Sequence, residues 1–223
     1  MSKTQPKDLL AHGLHLGHKK NKVHPKAGRY IHSFQNGTSI IDLFKTSELL
    51  DAALKEMSDM SKEGKTLLVV ATKKIARQPV SAICQEYGIP YLTNKWVAGF
   101  LTNFAEVSKN IKRMNDARIA QTDGSWEQLP KHERTQLEKE LNKTASVYGG
   151  VATLDKVPDA IFIIDIRKEA NALKEALQTH VKTFAIVDTN VNPEDVEFPI
   201  PANDDAITSI EYLTKAVAEA VKK

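Results

Sequence analysis

The chain has 223 residues, of which 26% are charged, 41% hydrophobic and 6% aromatic, with a formal net charge of +3. At about 100–200 residues per domain this is one large domain, or one with an appendage, long enough to bury a core without covalent staples. A disordered chain, a collagen and a small disulfide scaffold are excluded, and the single cysteine, Cys84, cannot form an internal disulfide.

The first 29 residues carry Lys3, Lys7, Lys19, Lys20, Lys22, Lys26 and Arg29 against one acid, Asp8, and His12, His15, His18 and His24 can add to that charge. The start lacks the apolar core of a secretory signal. The longest apolar runs, 67–71 and 161–164, fall far short of the ~18 residues a membrane helix needs. A soluble, cytoplasmic protein is therefore expected. Lys19, Lys20, Lys22, Lys26 and Arg29 read as a flexible basic arm whose charges can neutralise phosphates.

Residues 46–62 place Leu49, Ala53, Met57 and Met60 on one helical stripe, and Gly64 follows as a stop. Residues 66–70 form a β-branched apolar run, a buried strand. Residues 74–87 read as a helix with Ile83, Cys84 and Tyr87 inward and Pro79 in its first turn. Residues 89–92 are a weaker strand, which Pro90 confines to a strand start or an edge.

From 104 to 148 no strand is predicted. Phe104, Val107, Ile111 and Met114 recur at helical spacing, as do Leu137, Leu141, Ala145 and Tyr148. Between them Thr122-Asp123-Gly124 is a turn signal, residues 125–128 fit a capping box, and Pro130 suits a first helical turn. Two helices so joined should pack as an antiparallel hairpin projecting from the domain. Strands at 161–165 and 184–188 follow, alternating with helices at 169–180 (Ala170, Leu173, Ala176, Leu177) and 204–221 (Ile207, Ile210, Leu213, Val217, Val221). Near-continuous apolar strands between helices imply a three-layer α/β domain with a mostly parallel sheet. The domain comprises residues 1–103 and 149–223, with residues 1–30 as its basic arm and 104–148 as the inserted hairpin. From 188 onward eight acids face three bases. This charge asymmetry suggests one end facing a polyanion and the other facing solvent or protein.

Gly64-Lys65-Thr66 resembles the end of a phosphate loop, but Asp59 stands where the leading Gly belongs and the strand–helix order is reversed. No G-x-G-x-x-G occurs. His12, His15 and His18 at three-residue steps invite a metal, yet Gly13 and Gly17 weaken the helix that would align them, and no fourth ligand is evident. Asp165 and Asp188 end apolar strands at the edge where open α/β sheets bind ligands, with Asp204-Asp205 near, so a Rossmann-like enzyme with a carboxylate-lined site is the alternative reading. Against it, these residues suit caps and turns, and no nucleophile–base pair is in evidence.

The basic segments carry more. Lys73, Lys74 and Arg77 follow the first long strand, and Lys95-Trp96 pairs a cation with an aromatic able either to stack on an unpaired base or to sit in the core. Lys109, Lys112, Arg113 and Arg118 run along the first hairpin helix, opposed only by Glu106 and Asp116. Such groups give affinity and positioning rather than base readout.

In order along the chain stand Gly13-Leu14-His15-Leu16-Gly17-His18, Ile40-Ile41-Asp42-Leu43 with Lys45-Thr46, Thr72-Lys73-Lys74, and the run from Lys95 to Asn103 (KWVAGFLTN). Pro158-Asp159-Ala160, the run 185–190 (AIVDTN) and the run 200–207 (IPANDDAI) follow. This ordered set resembles the bacterial-type small-subunit ribosomal protein two family over residues 10–221. Lys95 stands where that family usually has Arg, Ala98 replaces a Gly, and His24 and Ala27 flank Pro25-Lys26 in place of Asn and Met. The resemblance implies a five-stranded flavodoxin-like sheet with a protruding helical hairpin and residence on the small ribosomal subunit. It implies binding to small-subunit rRNA, with Asn103 joining the basic residues above, and to neighbouring ribosomal proteins, including the large mRNA-binding "S-one" protein. No enzymatic activity, cofactor, metal, membrane or small-molecule substrate is implied.

Overall fold

A computed structural model describes residues 4–222; Lys3 of the basic lead-in and Lys223 lie outside the described residues. The chain opens with α1 (Pro6–Ala11), β1 (Leu16–Lys19), two 3-10 turns (Lys20–Lys22, Pro25–Tyr30), β2 (Ile31–Gln35) and β3 (Thr38–Ile41). The three strands form an antiparallel sheet in the order β1-β3-β2. The segment expected to be a flexible arm is thus folded. Asn36 and Gly37, both with positive φ, close the β2–β3 hairpin, the pairing that an Asn-Gly turn favours because its twist matches that of the strands.

The main sheet is all parallel. It comprises β4 (Leu67–Val70), β5 (Tyr91–Leu92), β6 (Ala160–Ile163), β7 (Lys182–Val187) and β8 (Phe198–Pro201), in the spatial order β5-β4-β6-β7-β8. That is the flavodoxin-like order, with its switch point between β4 and β6. Side chains alternate across the strands. Leu67, Val69, Phe162, Phe184 and Ile186 pack on one face with α2 (Leu43–Lys62), α3 (Arg77–Tyr87) and α7 (Ile207–Val221). Leu68, Val70, Ile161, Ile163 and Ala185 pack on the other with α4 (Phe104–Thr122) and α6 (Ala170–Thr179). Both faces are covered, which is why the strands read as unbroken apolar runs.

The starts of α2, α3, α6 and α7 differ from expectation by one to three residues, whereas the helix expected from Phe104 begins there. Asp42 caps α2, its side chain accepting from Phe44 N–H, and α3 begins at Arg77, which leaves Pro79 in its first turn. Leu177 and Ile207, expected inward, are about half exposed. Residues 203–205 do not cap α7; its N-cap is Ala206, while Asn203 closes a turn by accepting from Asp205 N–H at 2.8 Å.

α4 and α5 (Lys131–Tyr148) pack on each other and share a small apolar cluster of Met114, Trp126 and Leu141. The capping box expected at residues 125–128 is absent: Gly124 is the N-cap of that 3-10 turn, and Ser125 instead donates its N–H and hydroxyl to Asp123. Pro130 is the N-cap of α5.

Gly150 follows α5 against the edge strand β5. A Cβ there would lie 2.3 Å from the Tyr91 carbonyl oxygen and 2.7 Å from its ring. Gly150→Ala therefore drives β5 and this turn apart. It is expected to lower the unfolding free energy by about 1–3 kcal/mol, as overpacking does, read as a lower urea midpoint at unchanged slope.

Candidate nucleic-acid interface

The amino-terminal unit is docked on the carboxyl edge of the main sheet by the glycine- and histidine-containing segment before β1 and within it. A Cβ on Gly17 would lie 2.6 Å from Ser39 Oγ and 2.8 Å from Thr189, so only glycine lets β1 come this close. His18 N–H donates to Thr189 Oγ1 at 2.9 Å and Ser39 Oγ–H to the His18 carbonyl at 2.7 Å. His24 N–H donates to the Thr189 carbonyl at 2.8 Å. The three regularly spaced histidines diverge. His12 binds the Asp8 carbonyl and packs on Tyr212, and of His12, His15 and His18 only His18 reaches the carboxylates of the sheet edge.

Lys19, Lys20 and Lys22 are exposed on β1 and the turn after it. Among the described residues, none of them has a carboxylate within ion-pair distance. Lys26 and Arg29 are exposed as well, but both engage Glu194, the latter at 3.6 Å. The acidic carboxyl-terminal stretch is therefore not a face of its own: Glu194, Asp188 and Asp205 meet the basic amino-terminal unit in space.

Lys73 lies at the switch point. It is held by Asp165 at 3.2 Å, Asp204 at 2.9 Å and Asp205 Oδ1 at 2.7 Å. Burial lowers its pKa, but Asp205 and Asp204 more than offset this and hold it well above the usual lysine range. Burial, with Asp165 and Asp188 nearby, pushes the Asp204 carboxyl up to about 7. Lys73 is thus committed to an internal ion-pair cluster rather than free for phosphate. Asp165 also accepts from the N–H groups of Arg167 and Lys168, the turn-closing role weighed against catalysis. At the switch point, where a Rossmann-like enzyme would hold its substrate, these carboxylates pair with Lys73.

Arg77 ties the end of β4 to the following loop, donating from Nε to the Thr72 carbonyl and from Nη2 to the Asn94 carbonyl, both at 3.1 Å. Lys74, Lys95 and Asn103 are exposed. Trp96 is not a free stacking platform: its indole N–H donates to Glu175 Oε1 at 2.9 Å, and its ring packs 5.2 Å from that of Phe100. Glu175, on α6, also accepts from Gly99 N–H at 2.8 Å and Leu101 N–H at 3.0 Å, with Thr102 N–H at 3.5 Å. Burial raises its pKa, but these donors outweigh burial and hold it below the ordinary value of 4.5. The run from Lys95 to Asn103 is thus a loop strapped to α6 by one carboxylate, a role that sequence reading missed.

On α4, Phe104, Val107, Ile111 and Met114 are buried, which turns Lys109, Lys112 and Arg113 outward at spacings of three and four, the neighbours of one helix face. Lys109 pairs with Glu106 at 2.6 Å, an exposed contact of little energetic weight. Among the described residues Lys112 and Arg113 have no carboxylate partner.

A family model described as ribosomal protein S2 matches residues 9–223. The small ribosomal subunit protein uS2 of Chlorobium phaeobacteroides is 42% identical over 221 residues, covering 99% of this chain and 88% of its own length. That of Cytophaga hutchinsonii is 43% identical over 220 residues, covering 99% and 87%.

Proposed function

The chain belongs to the ribosomal protein S2 family, and from that membership we propose that it joins the small ribosomal subunit by an electrostatic grip on folded rRNA. Its role is structural and non-catalytic, as the family's is. Among the described residues no helix is long and apolar enough to cross a membrane.

The observation that carries the rRNA reading is the set of outward cations without acidic partners: Lys19, Lys20 and Lys22 on the amino-terminal unit, and Lys112 and Arg113 beside Lys109 on α4. Lys74 and Arg77, which follow β4, and Lys95 and Asn103, which follow β5, extend the contact. Lys26 and Arg29 contribute through what Glu194 leaves of their charge. Lysine and arginine on a rigid scaffold neutralise phosphates and release their counterions, which gives affinity without reading bases. Neighbouring proteins, among them the large mRNA-binding S-one protein, take the apolar surface near α1, where Leu10 and Phe44 are 53% and 78% exposed. Exposed apolar surface of this kind is characteristic of protein contacts.

The test is binding to small-subunit rRNA across a salt series. Six to ten neutralised phosphates predict a loss of about 10³–10⁵ in affinity between 50 and 200 mM salt. A flat salt profile, or failure of a tagged copy to co-migrate with small subunits in a sucrose gradient, overturns the reading.

A further inference from the structure

We propose that Glu175 is a positioning residue for the rRNA contact, holding the loop between β5 and α4 so that Lys95 and Asn103 face the RNA together. The proposal rests on the rRNA reading above and adds to that interface a residue that itself never touches RNA. Glu175 lies on α6, against the inner side of the loop, and is 8% exposed. A carboxylate so placed offers a phosphate nothing, and its charge would repel one.

Residues 93–103 form neither strand nor helix between β5 and α4. Connections of that kind are ordinarily the mobile parts of a fold. Here the loop's own N–H groups converge on one side chain. The Trp96 indole and Gly99 N–H donate to Oε1, and Leu101 and Thr102 N–H to Oε2, so the loop occupies both oxygens. Gly99 has a φ of +84°, a left-handed turn that glycine adopts without strain, and it brings the flanking donors toward the carboxylate. Phe100 is buried between Trp96 and Phe104, with ring centroids 5.2 and 6.0 Å away. At the start of the loop Arg77 Nη2 holds the Asn94 carbonyl.

The groups left outward by this tether are uncommitted. Lys95 and Asn103 are exposed, and among the described residues Lys95 has no carboxylate within ion-pair distance. Asn103 is the N-cap of α4, yet its side chain makes no capping bond, so its amide is left to an outside partner. An ammonium carried on a fixed backbone neutralises a phosphate without the cost of first ordering the chain, and that saving appears as affinity.

The experiment measures binding of the full-length chain to small-subunit rRNA across a salt series, at a temperature where circular dichroism shows every variant folded. Lys95→Ala and Glu175→Ala should each lower affinity by about five- to tenfold. Each should also flatten the slope of log K against log salt by about 0.7–0.9, the loss of one phosphate contact. The double variant should keep the slope of either single one, because both changes remove the same contact. Glu175→Gln leaves an acceptor for half of the donors and turns an amide N–H toward the rest, so its loss is smaller. It takes the place of Glu175→Ala in the cycle if that variant does not fold. Trp96→Phe keeps the three backbone tethers and should lower the unfolding midpoint without changing the slope. A wild-type chain without salt-dependent rRNA binding overturns the rRNA reading and this proposal with it. If the wild type binds as expected, three results overturn the positioning role alone: a slope unaltered by the Glu175 variants, no effect of Lys95→Ala, or additive losses in the double variant.

Discussion

Glu175→Ala is expected to lower the unfolding free energy by about 3–5 kcal/mol. Hydrogen bonds to a charged group contribute about 1.5–3 kcal/mol each, and a buried donor left without its acceptor adds a desolvation cost of about 1–3 kcal/mol. Glu175 takes three such bonds of 2.8–3.0 Å, from Trp96, Gly99 and Leu101. Alanine strands all three donors at once, although the loop can relax toward water and recover part of the loss. At about 2–4 °C per kcal/mol for a chain of this size, the unfolding midpoint falls by roughly 6–20 °C. Glu175→Gln keeps an acceptor oxygen and costs less. Acid should erase much of the difference. A carboxyl whose folded pKa is depressed contributes stability that is complete above its unfolded value and is lost as pH falls through the folded one. The gap between wild type and Glu175→Ala therefore narrows as pH drops below 4.5, the ordinary glutamate value. A gap that stays constant down to the acid transition would mean the strap is not held by charge.

That strap also marks the limit of what the sequence discloses. The apolar runs of β4, β6 and β7 were legible because burial on both faces leaves no room for polar alternation. Pro90 allowed β5 only as a strand start or an edge, and it directly precedes what is an edge strand. β8 was not read from its residues because Pro199 and Pro201 break the strand signature. They are tolerated there because β8 is the other edge strand and pairs only with β7. The amino-terminal sheet was missed although Asn36-Gly37 is a strong hairpin signal; the density of lysine and histidine around it suggested a loose arm instead. Trp96 beside Lys95 suited base stacking as well as a core position, and nothing local decides between them. The deciding partner, Glu175, lies 79 residues away. The same distance in sequence hid the cluster around Lys73, since its partners Asp165 and Asp204 come from the ends of other strands. Chemistry-bearing residues were found by type, but their occupations were set by tertiary pairing.

This pairing separates the cations into two groups, and the separation can be measured. Lys26, Arg29 and Lys73 have carboxylate partners, whereas among the described residues Lys19, Lys20 and Lys22 have none. Lys19→Ala, Lys20→Ala and Lys22→Ala combined should therefore remove three phosphate contacts outright. With about 0.7–0.9 counterions released per contact, the slope of log K against log salt flattens by about 2–3, and affinity for small-subunit rRNA near 0.15 M salt falls about a hundredfold. All three side chains are exposed, so the unfolding free energy should move by no more than about 0.5 kcal/mol, and a weakened complex cannot be blamed on a weakened fold. Replacing Lys26 and Arg29 together should flatten the slope less, because Glu194 already offsets part of their charge. Trp96→Phe should leave the slope where it was, since its indole serves Glu175 rather than a base, while lowering the unfolding midpoint. An unchanged salt slope in the triple variant would move the RNA contact off the amino-terminal unit and leave α4 to carry it alone.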